Sequence, residues 1–189
     1  MITIVTGLPR SGTALMMQIL QAAGMELVTD GVRPPDADNP RGYFEFERVK
    51  RLAADGAWLA GAERKAVKVV SLLLLELPPD YRYRVIFMTR DMDEILASQR
   101  EMLLRRRVRE TGPDDAEMRR HFEDHLAKVR RHLSEAANVE TLYCSYNELL
   151  ADPPAIVARI AAFIGGDPDR QRMLAAVDPS LYRQRKARS

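Results

Sequence analysis

The sequence predicts a three-layer α/β fold built on a parallel sheet of about five strands. Two observations support this prediction. Short apolar segments alternate with longer segments of helical periodicity, and the apolar segments are hydrophobic enough to be covered on both faces of a sheet. At 189 residues, the chain is long enough to bury one substantial core. We therefore expect a single domain over residues 1–189.

The first third of the chain is predicted to form a strand, a helix, a second strand and a loop. Ile2–Val5 is an apolar strand, and Thr13–Ala23 has apolar residues at helical spacing until Gly24 ends the helix. Met25–Val28 is the second strand. Thr29–Arg41 collects Asp, Pro, Gly and Asn without any period, so we expect a long loop, and such loops are usually functional or mobile.

The middle of the chain continues the alternation of helices and strands. Phe44–Leu59 is predicted to be a helix, and Ala66–Val70 and Tyr83–Met88 are predicted to be the third and fourth strands. Asp91–Arg109 is predicted to be a long helix. The sequence TGP at residues 111–113 ends it.

The last third is predicted to contain three helices and the final strand. Asp114–Ala137 is a long, highly charged helix, and Val139–Ser145 is the fifth strand. Pro153–Ile164 starts with a proline that suits the first turn of a helix and stops before two glycines. Pro168–Val177 is predicted to be one more short helix.

Composition and charge narrow the classes of partner and compartment. The chain has 29 Lys and Arg residues against 27 Asp and Glu residues, and a net charge of +2 gives no support to nucleic-acid binding. The one cysteine, Cys144, excludes an intrachain disulfide framework. The apolar stretch Val69–Leu75 is far shorter than the ~20 residues of a membrane-spanning helix. We therefore expect a cytoplasmic protein with no membrane span.

The sequence GLPRSGT at residues 7–13 lies between the first strand and the first helix, which is the position of a phosphate-binding loop. The spacing of Gly7 and Gly12 lets backbone N–H groups surround an anion at a helix N-terminus. The Walker pattern has Lys and then Ser or Thr after the second glycine, whereas this chain has Thr13 and Ala14. Arg10 supplies a cation from within the loop instead. The loop predicts a P-loop-like site for a nucleotide that needs no metal.

A second pair of polar residues follows the fourth predicted strand. Arg90 lies at the strand end, and Ser98 lies about two turns into the next helix, so both could face a second phosphate. Ligands of doubly wound sheets bind beyond the carboxyl ends of the strands. In an alternative interpretation, Arg90 pairs with Asp91 or Asp93 and Ser98 is a small packing residue.

Three motifs in order resemble the sulfotransferase family. The sequence PRSGT at residues 9–13 matches the family's P-[KR]-S-G-T, and Arg90 and Ser98 match its arginine and serine eight residues apart. Residues 146–153, YNELLADP, are similar to its Y-E-D-L-x-x-D-P. The chain departs from many cytosolic members at Ala14 and Leu15, where they have Thr and Trp, and its length is closer to that of compact bacterial members.

The resemblance implies that the chain uses 3′-phosphoadenosine-5′-phosphosulfate as its co-substrate, without a metal. It implies that the loop holds the 5′-phosphosulfate, that Arg90 and Ser98 hold the 3′-phosphate and that Tyr146 lies near the adenine. The implied nucleotide-binding residues are Pro9, Arg10, Ser11, Gly12, Thr13, Ala14, Arg90, Ser98 and Tyr146.

Sulfuryl transfer to a hydroxyl needs a base for the acceptor proton. The three histidines, His121, His125 and His132, all lie on one charged helix, and we expect no metal site there because no third ligand is evident. Other branches of the family use a glutamate in the segment after the second strand. The acidic residues of that segment are Asp30, Asp36, Asp38, Glu45 and Glu47.

Glu45 is the predicted base, and Asp30 is the second choice. In the alternative interpretation, Glu45 only offsets the dipole of its own helix. Lys68 lies on a predicted buried strand, where a lysine needs an anionic partner, although it could also lie at a strand edge with its ammonium in water. The predicted catalytic residues are Arg10, Glu45 and Lys68.

The sequence therefore predicts a sulfotransferase that transfers a sulfuryl group to a hydroxyl or amine of a small-molecule, carbohydrate or lipid acceptor. Two alternatives stay open: a small-molecule kinase that uses magnesium-ATP, and an inactive nucleotide-binding protein that has kept the loop.

Overall fold

A computed structural model describes residues 1–36, 39, 41–105 and 113–178. Its five-stranded sheet has the order β2-β3-β1-β4-β5, and every neighbouring pair is parallel. The strands are β1 (Ile2–Gly7), β2 (Leu27–Val28), β3 (Ala66–Lys68), β4 (Tyr83–Thr89) and β5 (Val139–Ser145). The prediction of a parallel sheet of about five strands is confirmed.

Helices cover the sheet on both sides. The α-helices are α1 (Thr13–Ala22), α2 (Met92–Arg105), α3 (Asp115–Glu135), α4 (Tyr146–Ala151), α5 (Pro153–Ile164) and α6 (Arg170–Ala176). Three short 3₁₀ helices cover Glu47–Arg51, Ala57–Ala62 and Ser71–Glu76. The predicted helix Asp91–Arg109 is observed as far as Arg105, and its last four residues lie outside the described residues.

Two apolar clusters lie on opposite faces of the sheet, which confirms the three-layer prediction. One cluster packs α1, α5 and α6 against Val5 and Ile86. The other packs α3 and the 3₁₀ helices against Ile4 and Val85. Neighbouring residues of β1 and β4 thus point into different clusters, because successive side chains of a strand alternate between its faces.

The predicted helix Phe44–Leu59 is wrong. The segment is extended at first and then forms two 3₁₀ turns, Glu47–Arg51 and Ala57–Ala62. Phe44 has a φ of +52°, which an α-helix does not use, and Gly56 precedes the second turn. The short turns allow side chains from several directions to reach the core. The buried hydrophobic residues of this segment are Val49, Leu52, Trp58, Leu59 and Ala62.

Two elements were absent from the sequence prediction. The 3₁₀ helix Ser71–Glu76 follows β3 directly, and α4 begins at Tyr146, immediately after β5. The side chain of Ser145 accepts a hydrogen bond from the backbone N–H of Glu148, so Ser145 is the N-cap of α4. Helix α4 matters for the site because it places Tyr146 beside the ends of β4 and β5.

The order of the strands determines which loops meet. Strand β1 pairs with both β3 and β4, so residues after these three strands emerge at one edge of the sheet. Gly7 at the end of β1 lies opposite Met88, and Thr89 at the end of β4 lies opposite Ser145. No helix among the described residues is long and apolar enough to cross a bilayer.

Candidate functional site

The loop after β1 has the backbone of an anion-binding loop. Arg10 and Gly12 have φ angles of +71° and +95°, and Gly12 is the N-cap of α1. No side chain caps this helix, and its first turn contains no acidic residue. The first N–H groups of a helix have no partner within the helix, so the start of α1 presents donors and a positive dipole to an anion.

The side chain of Arg10 connects the loop to α2. Its Nε donates a hydrogen bond of 2.9 Å to Oγ of Ser98, which lies 88 residues away in the chain. Arg90 reaches the same loop from the end of β4, because its Nη1 donates to the backbone oxygen of Arg10 over 3.0 Å. The structure therefore brings together Arg10, Arg90 and Ser98, which the sequence placed in two separate motifs.

Arg90 also belongs to a buried ion pair. Its Nε lies 2.9 Å from Oε2 of Glu94, and the two side chains are only 8% and 4% exposed. Asn147 donates to the same carboxylate oxygen over 3.1 Å, and its own side-chain oxygen accepts from the backbone N–H of Asp91 over 3.0 Å. The guanidinium carbon of Arg90 lies 4.6 Å from the centre of the Tyr146 ring. Glu94, the backbone oxygen of Arg10 and the Tyr146 ring thus contact this cation directly, and Asn147 holds Glu94 in place.

Ser11 differs from its neighbours in the loop because its side chain is buried, with 1% exposure. Within the described part of the chain, its hydroxyl oxygen has no hydrogen-bond partner. Buried hydroxyls are normally hydrogen-bonded. The Ser11 hydroxyl is therefore an exception within the anion-binding loop.

Glu45 and Lys68 lie together. The Lys68 ammonium donates to the backbone oxygen of Tyr43 and lies 3.4 Å from Oε1 of Glu45. Its side chain is 9% exposed, so the interpretation in which the ammonium lies in water is wrong. Burial lowers the pKa of Lys68, and the nearby Glu45 carboxylate opposes that change. Arg33 pairs with the same Glu45 oxygen at 3.0 Å.

One cavity of about 410 Å³ connects the two groups of residues. Its walls include residues of the loop, Arg90, Ser98 and Tyr146, together with Glu45 and Lys68. Ala14 and Leu15 also line it. A cavity of this size falls in the range of small-molecule sites. Of the predicted site residues, only Ser11 does not line this cavity. Ser11 lines a second, smaller cavity of about 180 Å³ instead.

The other acidic residues of the loop segment have structural contacts. Asp30 accepts hydrogen bonds from the backbone N–H groups of Val32 and Glu47, and the Glu47 bond is the main reason that the pKa of Asp30 is lowered. Asp36 accepts from the Tyr43 hydroxyl over 2.7 Å. Neither carboxylate lines the cavity, and Asp38 lies outside the described residues.

None of the three histidines lines the cavity. His125 lies 2.9 Å from the hydroxyl of Ser71, and burial lowers its pKa. In the described portions of the chain, no group of three His, Cys, Asp or Glu residues is arranged to hold a metal ion.

Sequence reasoning missed Glu94, Asn147 and Arg33. Glu94 was recognisable, because it lies four residues after Arg90 and such pairs face each other on a helix. Asn147 lies 53 residues from Glu94, and Arg33 is one of several charged residues in an aperiodic loop. Asn147 belongs to the third motif, residues 146–153, but nothing in that motif indicated a contact with Glu94, and nothing local distinguished Arg33.

No protein-family model and no curated protein sequence matches the chain. Among solved structures, retinol dehydratase in complex with retinol and PAP matches with a TM-score of 0.51 and 18% identity, covering 92% of this chain and 62% of that one. Its complex with androsterone and the inactive cofactor PAP matches with a TM-score of 0.50 and 19% identity, over the same shares. The chain shares the fold of retinol dehydratase. It spans less than two thirds of that protein's length.

Two other solved structures have lower TM-scores. A sulfotransferase from Alicyclobacillus acidocaldarius matches with a TM-score of 0.48 and 18% identity, covering 95% of this chain and 87% of that one. A sugar kinase from Janibacter sp. HTCC2649, in unliganded form, matches with a TM-score of 0.42 and 13% identity, covering 95% and 96%.

Proposed function

We propose that this protein is a sulfotransferase that transfers a sulfuryl group from 3′-phosphoadenosine-5′-phosphosulfate to an acceptor hydroxyl. One observation carries the proposal: Arg10 of the loop bonds Ser98, and Arg90 bonds the backbone of Arg10, so the two signature segments form one site. The shared fold with a PAP-bound protein supports the same assignment.

The residues at the nucleotide end suit a doubly phosphorylated adenosine. The uncapped start of α1 and the Arg10 guanidinium would hold the 5′-phosphosulfate, because both favour anions. Ser98 and Arg90 would hold the 3′-phosphate. Since Glu94 already balances the charge of Arg90, we assign the hydroxyl of Ser98 a larger part in selecting that phosphate than the sequence alone suggested. No metal ligand is needed in this scheme.

Glu45 and Lys68 would act at the acceptor end of the cavity. The phosphosulfate supplies the sulfuryl group, whose bond to the bridging oxygen breaks as the acceptor oxygen bonds to sulfur. Glu45 takes the proton that the acceptor hydroxyl loses. Arg10 and Lys68 offset the negative charge that develops near the bridging oxygen. The acceptor is a small molecule, carbohydrate or lipid that carries a hydroxyl.

Nucleotide binding tests the first half of the proposal. We expect adenosine 3′,5′-bisphosphate to stabilise the protein against heat without magnesium, because a ligand that binds only the folded state raises its stability by mass action. Ser98→Ala should weaken this binding by roughly tenfold to a hundredfold, which corresponds to one hydrogen bond to a charged group. Binding of adenosine 5′-monophosphate should change much less. Calorimetric titration measures both.

Ser134→Ala is the matched control, since Ser134 lies on α3 and, among the described residues, its hydroxyl bonds only the backbone oxygen of Arg131. It should bind both nucleotides as the wild type does. Stabilisation by magnesium-ATP in preference to adenosine 3′,5′-bisphosphate would favour a kinase. Tight binding of the bisphosphate without any sulfuryl transfer would favour an inactive nucleotide-binding protein.

The Glu45→Gln substitution tests the second half. An amide cannot take up the proton that the acceptor hydroxyl loses, so kcat should fall by about a hundredfold or more. The affinity for adenosine 3′,5′-bisphosphate should stay within about twofold, because Glu45 is not among the proposed nucleotide-binding residues. Transfer of labelled sulfate to a panel of hydroxyl acceptors provides the assay. A kcat close to that of the wild type would assign the base elsewhere.

A further inference from the structure

The two carboxylate oxygens of Glu45 have different surroundings. Arg33 Nη1 lies 3.0 Å from Oε1, and Lys68 Nζ lies 3.4 Å from the same oxygen. Across the described ranges of the chain, no donor forms a hydrogen bond with Oε2. One oxygen therefore receives two cationic donors, and the other keeps its lone pairs for another partner.

Arg33 is held in place on its far side by an aromatic ring. Its guanidinium carbon lies 3.2 Å from the centre of the Tyr43 ring. Tyr43 is itself fixed, because it is 6% exposed and its hydroxyl donates to Asp36 over 2.7 Å. A planar guanidinium that stacks on a buried ring and pairs with a carboxylate has little freedom to move.

The backbone around Arg33 is tied to that of Glu45. The N–H of Asp30 donates to the backbone oxygen of Glu45 over 3.2 Å, and the Asp30 carboxylate binds the N–H groups of Val32 and Glu47. These bonds join the residues just before Arg33 to Glu45 itself and to Glu47. The distance between the two side chains is thus set by backbone contacts as well as by their own attraction.

We propose that Arg33 is a positioning residue, which together with Lys68 holds Glu45 Oε1 and leaves Oε2 to take the proton of the acceptor. The inference rests on the proposed function, since it assumes that Glu45 is the base. In the transfer, the acceptor O–H bond breaks and its proton passes to Oε2, while the acceptor oxygen bonds to sulfur and the bond from sulfur to the bridging oxygen breaks. Arg33 and Lys68 keep their protons throughout.

Arg33 also contributes positive charge beside the base. Among the described residues, the charged groups that face the Glu45 carboxylate are Arg33 from the loop, Lys68 from β3 and Lys50 from the 3₁₀ helix Glu47–Arg51. The other charged residues that line the cavity are Arg10, Arg90, Glu101, Arg105 and Asp178. Removing Arg33 takes the nearer of the two cationic donors from Oε1, so the carboxylate would be held by Lys68 alone.

The Arg33→Gln substitution tests the proposal by comparing kcat with KM. The value of kcat should fall by about tenfold to a hundredfold, because Oε1 loses one of its two donors and the base loses its orientation. KM for the nucleotide should change little. Arg33→Lys keeps a cationic donor at this position, so its kcat should return toward that of the wild type.

Arg48→Gln is the matched control. Arg48 also forms an ion pair with a carboxylate, at 2.8 Å from Asp55, and it does not line the cavity. Its removal costs the same formal charge and should leave both kcat and KM unchanged. If Arg33→Gln does not fold, Arg33→Met replaces it, because a methionine side chain can still lie across the Tyr43 ring. The same fall in kcat at an unchanged nucleotide KM is expected.

The outcomes separate this inference from the proposed function. An active wild type whose kcat is unchanged by Arg33→Gln overturns the role of Arg33 alone. A fall in kcat of equal size in Arg48→Gln overturns it as well, because the effect would then come from net charge. A wild type that binds the nucleotide but transfers no sulfuryl group overturns the proposed function and this inference with it.

Discussion

Gly12 combines two constraints that only glycine satisfies. Its φ of +95° places the loop backbone in the left-handed region, and a Cβ at this position would lie 2.3 Å from Cδ2 of Tyr146. Tyr146 is buried between this glycine and the guanidinium of Arg90. The glycine therefore allows the loop to lie directly on the ring that also supports the arginine.

Replacing Gly12 tests this close approach. Gly12→Ala should lower the free energy of unfolding by about 2 kcal/mol or more, because the left-handed backbone and the contact with the ring each cost energy. It should also weaken nucleotide binding, since the start of α1 must move.

Gly31→Ala is the control: its φ is +66°, but a Cβ there meets nothing within 4 Å. It should cost only about 1 kcal/mol. Equal losses in the two variants would rule out the Tyr146 contact as a cause. Chemical denaturation measures both.

At the scale of elements, the junction of β4, α2 and α4 holds the site together. Arg90 directly follows β4, Glu94 lies in the first turn of α2, and Asn147 comes from α4. Hydrogen bonds connect all three, and a further one passes from Arg90 to the loop. The junction excludes water from both partners of an ion pair, so neither charge can be lost without leaving the other buried.

Two ion pairs with i,i+4 spacing allow a direct comparison. Glu94→Ala should lower the free energy of unfolding by about 3–5 kcal/mol, because it leaves Arg90 buried and unbalanced. Glu101→Ala removes the carboxylate that pairs with Arg105 at 2.6 Å, where the side chains are 49% and 39% exposed. That loss should be about 0.5 kcal/mol or less. Similar values in urea denaturation would contradict the importance of burial at the junction.

At the scale of the whole molecule, the parallel sheet converts separate sequence motifs into one site. Strands β3, β1 and β4 are neighbours, so residues after them reach one edge although they are distant in the chain. Lys68 comes from β3, Arg10 follows β1, and Arg90 follows β4. Ligands of such sheets bind at this edge, and the cavity of about 410 Å³ lies there.

Much of this architecture could be predicted from local patterns. Apolar runs and helical spacing located the five strands and most helices, because burial on two sheet faces leaves a strong composition signal. The segment 44–59 was predicted incorrectly, because its spacing resembled a helix while tertiary contacts drew its side chains into the core through short turns. The site residues remain predictions, although the structure brings the proposed nucleotide and acceptor residues to one cavity.

The sequence by itself determined the order of the strands and of most helices along the chain, the anion-binding character of the loop, and the motif formed by Arg90 and Ser98. Each of these depends on residues that lie close together in the chain. Only the tertiary structure decided that Arg10 bonds Ser98, that Glu94 and Asn147 hold Arg90, and that Arg33 and Lys68 share one oxygen of Glu45. Such contacts depend on the directions in which side chains leave neighbouring strands and loops. Those directions are set by the packing of the whole sheet, which no local pattern contains.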